Sequence, residues 1–181
     1  MQIHRRRHAL PLLIAMVALL ATAFSGCLVS GTKVFSYAIA PPALQAVGGT
    51  VNEERVDYTD DKTYQEYKDE IRQIDRVGFT IQVQENQGTN ATMSMYFSET
   101  MGLGSVAAVE SQATLLFLNY PIPANGLIDI SYDESQKILL NFEALQELAA
   151  TGAFSIYTIA GGNFNLTLNV LVFTITFTVG L

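Results

Sequence analysis

The strongest constraint on the fold is an alternation of apolar and polar side chains that returns in many short segments. The alternation is clearest in residues 77–83 and 91–97. A period of two is typical of β-strands that bury one face. About nine such segments, separated by turns rich in Gly, Pro and Asn, predict a mainly β protein. We expect an antiparallel β-sandwich of jelly-roll or immunoglobulin-like kind.

The positions of the strands follow from the same pattern. The first four strands are expected at 33–40, 51–58, 77–83 and 91–97, and the fifth is expected to end in residues 115–118. Further strands are expected at 127–132, 137–140, 153–160 and 163–179. The turn at Gly88-Thr89-Asn90 predicts a hairpin between the third and fourth strands, and Pro121 and Pro123 predict the end of the fifth. In the last strand the apolar set moves from even positions to odd positions at Val170-Leu171. This change predicts a β-bulge or a strand that switches sheets.

Two short surface helices are expected beside the strands. The first covers residues 61–74 in the most charged part of the chain, with an apolar stripe at helical spacing formed by Tyr64, Tyr67, Ile71 and Ile74. The second begins after Asn141 and ends at Gly152, with Phe142, Leu145 and Leu148 facing inward.

The first 26 residues have the layout of a secretory signal peptide. Arg5, Arg6 and Arg7 precede an uncharged apolar run from Ala9 to Phe24. Positive residues stay in the cytoplasm while such a run enters the bilayer, so this segment is excluded from the fold.

The end of this segment resembles the lipobox of bacterial lipoproteins. Phe24-Ser25-Gly26 leads directly into Cys27, the only cysteine of the chain, although the family most often has Leu where Phe24 stands. The resemblance implies cleavage before Cys27 and lipid attachment to its thiol and amine. Two alternatives remain open. An A-x-A site at residues 21–23 would release a soluble protein, and the run 9–32 could remain as a membrane-spanning helix.

The predicted organisation has three parts: a cleaved signal peptide (1–26), a lipidated tether (27–32) and a single β-sandwich domain (33–181). The protein is expected to be exported and anchored in a membrane. Leu28, rather than Asp, follows the cysteine, and in the lipoprotein family this implies the outer membrane if the organism is Gram-negative. The mature part carries 7 basic and 17 acidic residues, a net charge of −10, which disfavours nucleic acid as a partner.

Catalytic and metal-binding patterns are weak. Both histidines lie in the signal segment, so the mature chain cannot form a Ser-His-Asp triad or a histidine zinc site. Asp57, Asp60 and Asp61 are weak candidates for Ca²⁺ ligands, but their spacing does not match an EF-hand loop, and acids at a helix start explain them better. We therefore predict no cofactor and no catalytic residue.

Three functions remain compatible with these observations. The first is a non-enzymatic envelope lipoprotein with a structural or protein-binding role, whose partner is another envelope protein. The second is a carrier of a small apolar ligand or lipid in a cavity between the sheets. The third is a hydrolase that uses paired carboxylates.

Overall fold

The computed structural model of the chain describes residues 30–39, 49–86, 90–125, 127–162 and 166–180. In these ranges eight strands form two antiparallel four-stranded sheets around an apolar core, which confirms the predicted β-sandwich. The strands are β1 Ser30–Ile39, β2 Val51–Asp57, β3 Ile71–Asn86, β4 Ala91–Ser98, β5 Thr114–Ile122, β6 Ile128–Ile130, β7 Ala153–Gly161 and β8 Leu166–Gly180.

The strand order decides between the two kinds of sandwich that the sequence left open. Sheet A has the order β1-β8-β3-β6, and sheet B has the order β2-β7-β4-β5. Along the chain, β4 pairs with β5, β3 with β6, β2 with β7 and β1 with β8. The chain is thus one long two-stranded ribbon whose successive pairs alternate between the sheets. An eight-stranded sandwich of this order is a jelly roll.

The predicted hairpin between the third and fourth strands is wrong, because β3 and β4 lie in different sheets. Apolar alternation shows which face of a strand is buried, but it does not identify the neighbouring strand. Instead, β4 and β5 form a hairpin, and the 15 residues 99–113 connect them. Residues 40–48, 87–89, 126 and 163–165, which include several predicted turns, lie outside the described residues.

Four short helices are present in the described part of the chain. They are α1 Lys62–Tyr67, α2 Val106–Gln112, α3 Tyr132–Ile138 and α4 Phe142–Ala150. The predicted helix after Asn141 is confirmed as α4, with Leu145 and Leu148 buried. α2 and α3 were not predicted, and α3 replaces the strand expected at 137–140. The Ser131-x-x-Glu134 capping box that begins α3 is the sequence signal that could have revealed it.

The predicted helix 61–74 is much shorter in the structure, because α1 ends at Tyr67 and β3 begins at Ile71. The pairing of β3 with β8 shifts register between Ile71 and Gln73, and again between Ile74 and Arg76. Each shift adds one residue to β3, as in a β-bulge. The first bulge lies between Ile71 and Ile74 and allows both side chains to pack on the core although they are three residues apart, a spacing that imitates a helix.

Two further predictions concern strand continuity. β5 continues through Pro121 to Ile122, because β5 is an edge strand and a proline there can direct its missing N–H away from the sheet. β8 shifts register between Val170 and Leu168 while it remains paired with β3 on both sides. The predicted irregularity is therefore confirmed as a bulge beside the expected point, and the strand does not switch sheets.

One side of the sandwich is closed by α3, α4 and the residues between them. The Phe79 N–H donates to Ser135 Oγ (3.1 Å), and the Gln146 side-chain amide donates to the Ile74 carbonyl. β6 pairs with only three residues of β3, and these bonds satisfy backbone groups on the same edge of β3 that β6 does not reach. Such cover protects a sheet edge from pairing with another chain.

Candidate functional site

Cys27, the predicted lipidation residue, lies outside the described residues together with the signal segment and residues 28 and 29. β1 begins at Ser30, which pairs with Gly180. Residues 30–32, which the sequence assigned to a tether, are therefore part of sheet A. Three Cα–Cα steps separate Cys27 from Ser30, and they span at most about 11 Å.

Aromatic side chains close the end of the sandwich where β1 begins. Tyr58 is buried, and its hydroxyl donates to the Ala149 carbonyl. The Tyr64 hydroxyl donates to the Ala150 carbonyl at 3.0 Å, and the two tyrosine rings meet edge to face at 5.0 Å. Burial raises the pKa of Tyr58, so its hydroxyl stays protonated as a donor. These contacts attach α1 to the end of α4.

The acidic residues considered for Ca²⁺ serve a turn and a helix start. Asp57 Oδ1 accepts from Thr59 Oγ1 (2.7 Å) and Thr59 N (3.1 Å), and these bonds lower the Asp57 pKa. Asp61 Oδ1 accepts from the backbone N–H groups of Thr63 (2.7 Å) and Tyr64 (3.2 Å), which caps α1. In the described ranges, no three acidic, His or Cys residues come together as a metal site, so Asp57, Asp60 and Asp61 do not form one.

A carboxylate on β2 holds the β4–β5 connection, which we call the strap (residues 99–113), against sheet B. Glu53 Oε1 accepts from Ser155 Oγ (2.7 Å), and Glu53 Oε2 accepts from the Gly102 N–H (2.9 Å). Burial alone would raise the pKa of Glu53, but the bonds from Ser155 and Gly102 outweigh it, and the pKa is lowered. The ionised carboxylate is therefore the form that binds the strap.

The strap covers apolar side chains on the outer face of sheet B. Tyr157 is fully buried there, and its hydroxyl donates to the Thr100 carbonyl at 2.6 Å. A second hydrophobic cluster, separate from the main core, consists of Tyr96, Leu103, Val109 and Tyr157. The sandwich thus has an additional apolar layer on one side.

This layer was not predicted from the sequence. A signal was present, because β4 carries Tyr96 among inward residues at odd positions, and β7 carries Tyr157 among inward residues at even positions. Strands with apolar residues on both faces are typical of sheets that are covered on both sides.

The Glu53–Ser155 pair does not form an accessible nucleophilic site. Ser155 is completely buried, so a substrate cannot reach its hydroxyl. A serine nucleophile also needs a nearby general base and an open approach to the reacting carbon. The hydrogen bonds of the pair instead attach the strap.

Two of the clefts on the described surface bear on function. One, of about 560 Å³, is lined mainly by apolar residues where β4 begins and β5 and β7 end: Asn90, Ala91, Thr92, Pro121, Ile122, Pro123 and Gly161. The other, of about 430 Å³, lies between β3 and α4 and has Glu143 and Glu147 on its wall. These carboxylates stand one helical turn apart beside Gln146, which is bound to β3, so this face of α4 covers the strand.

The outer face of sheet A differs from that of sheet B. The outward residues of β1 and β8 form a surface that we call the threonine face: Thr32, Val34, Ser36, Ala38, Val172, Thr174, Thr176 and Thr178. Ten successive residue pairs join the two strands without a register shift. Val34, at 63 % exposure, is among the most exposed large apolar residues of the described chain.

Across the described ranges, none of the helices has both the length and the apolar character that crossing a membrane requires. No protein-family model and no curated protein matches the chain. Among solved structures, a chain from Desmodium yellow mottle tymovirus is similar, with 9% sequence identity and a TM-score of 0.38. The match covers 83% of this chain and 87% of that chain, and it is too distant to inform function.

Proposed function

We propose that the protein is an exported bacterial lipoprotein, held on a membrane by lipid on Cys27, whose sandwich binds another envelope protein without catalysis. The observation that carries the proposal is the sequence Ser25-Gly26-Cys27 at the end of an apolar run, with the only cysteine of the chain at the required position. β1 is compatible with it, because Ser30, its first residue, lies after the proposed cleavage position.

Core packing supports a binding module over a ligand carrier. Phe79 of sheet A packs against Phe117 of sheet B with ring centroids 5.8 Å apart, and Phe154 packs against Phe173 at 5.5 Å. All four side chains are almost completely buried. These rings fill the space between the sheets at the centre of the core, as in a closely packed interior.

The chemistry of the mature chain supports a role without catalysis. Cleavage before Cys27 would remove both histidines, and the Ser155 hydroxyl is buried under the strap. Glu143 and Glu147 lie on a helix face whose neighbouring Gln146 binds β3. A protein of this kind would act through its surface, positioned at the membrane by the anchor.

The anchoring claim is tested by substitution of Cys27. Cys27→Ser should carry no acyl mass and should keep residues 1–26, because lipid attachment to the thiol precedes cleavage in bacterial lipoproteins. Ser25→Ala keeps a small residue before the cysteine and is the matched control, which should still be acylated and cleaved. An unacylated wild-type protein, or the same acyl mass and cleavage in wild type and Cys27→Ser, would contradict the lipid anchor.

A separate measurement distinguishes the binding module from the carrier. Native mass spectrometry of freshly purified protein should show the protein mass with its anchor and no additional apolar molecule. Crosslinking of the lipidated protein in intact envelopes should give a reproducible adduct with one envelope protein. A co-purifying lipid in stoichiometric amount would instead support a cavity carrier.

A further inference from the structure

We propose that the threonine face lies on the headgroup layer of the membrane that holds the anchor, an inference that rests on the proposed function. The argument begins with position. β1 forms one edge of the face, and it begins three residues after Cys27. Five Cα–Cα steps join Cys27 to Thr32, the first residue of the face, so the lipidated residue is within about 17 Å of it.

The composition of the face is suited to a membrane surface. None of its eight residues is charged, although the mature chain carries 17 acidic residues. Hydroxyl groups donate hydrogen bonds to phosphate oxygens, and Val34 and Ala38 offer small apolar groups to the boundary between headgroups and acyl chains. Arg76 pairs with Thr176 in the sheet and borders the face with a positive charge, which favours anionic lipid.

The other surfaces near the anchor fit a bilayer less well. The α1 end of the sandwich exposes Asp57, Asp60, Glu66 and Asp69, and anionic headgroups repel such a surface. The outer face of sheet B is covered by the strap, and it belongs to the sheet that does not contain β1. Among these surfaces, the threonine face combines closeness to Cys27 with eight uncharged residues, and the carboxylate beside it, Asp75, accepts a hydrogen bond from Thr178 Oγ1 at 2.7 Å.

Regular pairing also arranges the side chains of the face in ordered rows. β1 and β8 pair at ten successive positions, so their outward side chains form two rows along a strand about 30 Å long. A surface of small side chains lets many groups contact the membrane at once. Three hydroxyl groups of the face have partners within the protein: Ser36 Oγ contacts Thr174 Oγ1 at 3.2 Å, and Thr178 Oγ1 donates to Asp75 Oδ2 at 2.7 Å.

The test uses the full-length lipidated protein in vesicles of phosphatidylethanolamine and phosphatidylglycerol that contain a nitroxide on the headgroup. Because the native chain has a single cysteine and lipid occupies it, a second cysteine provides a unique site for a fluorophore. The variants are Val34→Cys on the threonine face, Lys68→Cys at the α1 end and Leu118→Cys on sheet B. Ser36→Cys is a second probe of the face, should Val34→Cys fold poorly.

Quenching at Val34 and Ser36 should be several-fold stronger than quenching at Leu118, with Lys68 between them. Stronger quenching at Lys68 than at Val34, or equal quenching at Val34 and Leu118, would overturn the proposal. Label-to-label contact between Val34 sites of different molecules, without nitroxide quenching, would assign the face to a second copy and would also overturn it. An unacylated Cys27 would refute the proposed function as well, whereas an acylated Cys27 with an unquenched Val34 would refute only this inference.

Discussion

The two sheets of the sandwich have very different outer faces. Sheet B directs tyrosines outward, and the strap covers them with Leu103 and Val109. Sheet A directs threonine, serine and small apolar residues outward from β1 and β8, and four of these side chains are exposed. The hydrophobic effect explains the cover on sheet B, because outward aromatic rings would otherwise remain in water. The threonine face carries no aromatic rings, so the hydrophobic effect does not require a cover there and the face can contact another surface.

The largest expected effect concerns the covered face. Tyr157→Ala should lower the free energy of unfolding by about 3–5 kcal/mol, because it removes a fully buried ring and its bond to the Thr100 carbonyl. Thr32→Ala on the threonine face should cost about 1 kcal/mol or less. Chemical denaturation of both variants measures the contrast, and similar losses would show that the two faces contribute alike.

Part of this comparison could be predicted from the sequence. The alternating segments correctly predicted a sandwich, because burial of one strand face is a local property of the chain. The β3–β4 hairpin was wrong, because partner choice in a jelly roll depends on residues far apart in sequence, such as Ser30 and Gly180. The sequence also could not distinguish the first bulge of β3 from a helix, because both structures place residues three apart, such as Ile71 and Ile74, on one face.

The candidate site could also be predicted only in part. Asp61 was correctly interpreted as a helix-start residue, because it caps the helix that follows it directly, whereas Asp57 accepts from Thr59 in the preceding turn. The role of Glu53 was not visible, because its partners Gly102 and Ser155 are distant in sequence. The lipidation of Cys27 stays a prediction from the sequence.

A smaller effect on stability is expected where the strap is attached to Glu53. Gly102 has φ +77°, and its N–H donates to Glu53. Gly102→Ala should destabilise the protein by about 1–2 kcal/mol, because an L-residue with a side chain disfavours left-handed backbone. Gly104→Ala is the matched control. Its φ is not in that region and its added Cβ meets only the Gly102 carbonyl oxygen at 4.0 Å, so thermal unfolding should be nearly unchanged.

The smallest effect is a dependence on pH. Because the pKa of Glu53 is lowered in the folded protein, its contribution to stability is complete above its ordinary value of 4.5 and is lost as the pH falls through the folded value. The stability difference between wild type and Glu53→Gln should therefore shrink below about pH 4.5. Ser155→Ala should weaken the same dependence. A difference that stays constant from neutral to acidic pH would show that the Glu53 carboxylate does not hold the strap.

The central claim is that lipid on Cys27 holds the sandwich at a membrane, where the threonine face is available for contact. Mass spectrometry of the N-terminal peptide of the mature protein tests it most directly. The account predicts a peptide that begins at Cys27 and carries the mass of a diacylglyceryl group, with or without an additional acyl chain on the amine. A peptide that begins at Phe24 and contains an unmodified Cys27 thiol would contradict it.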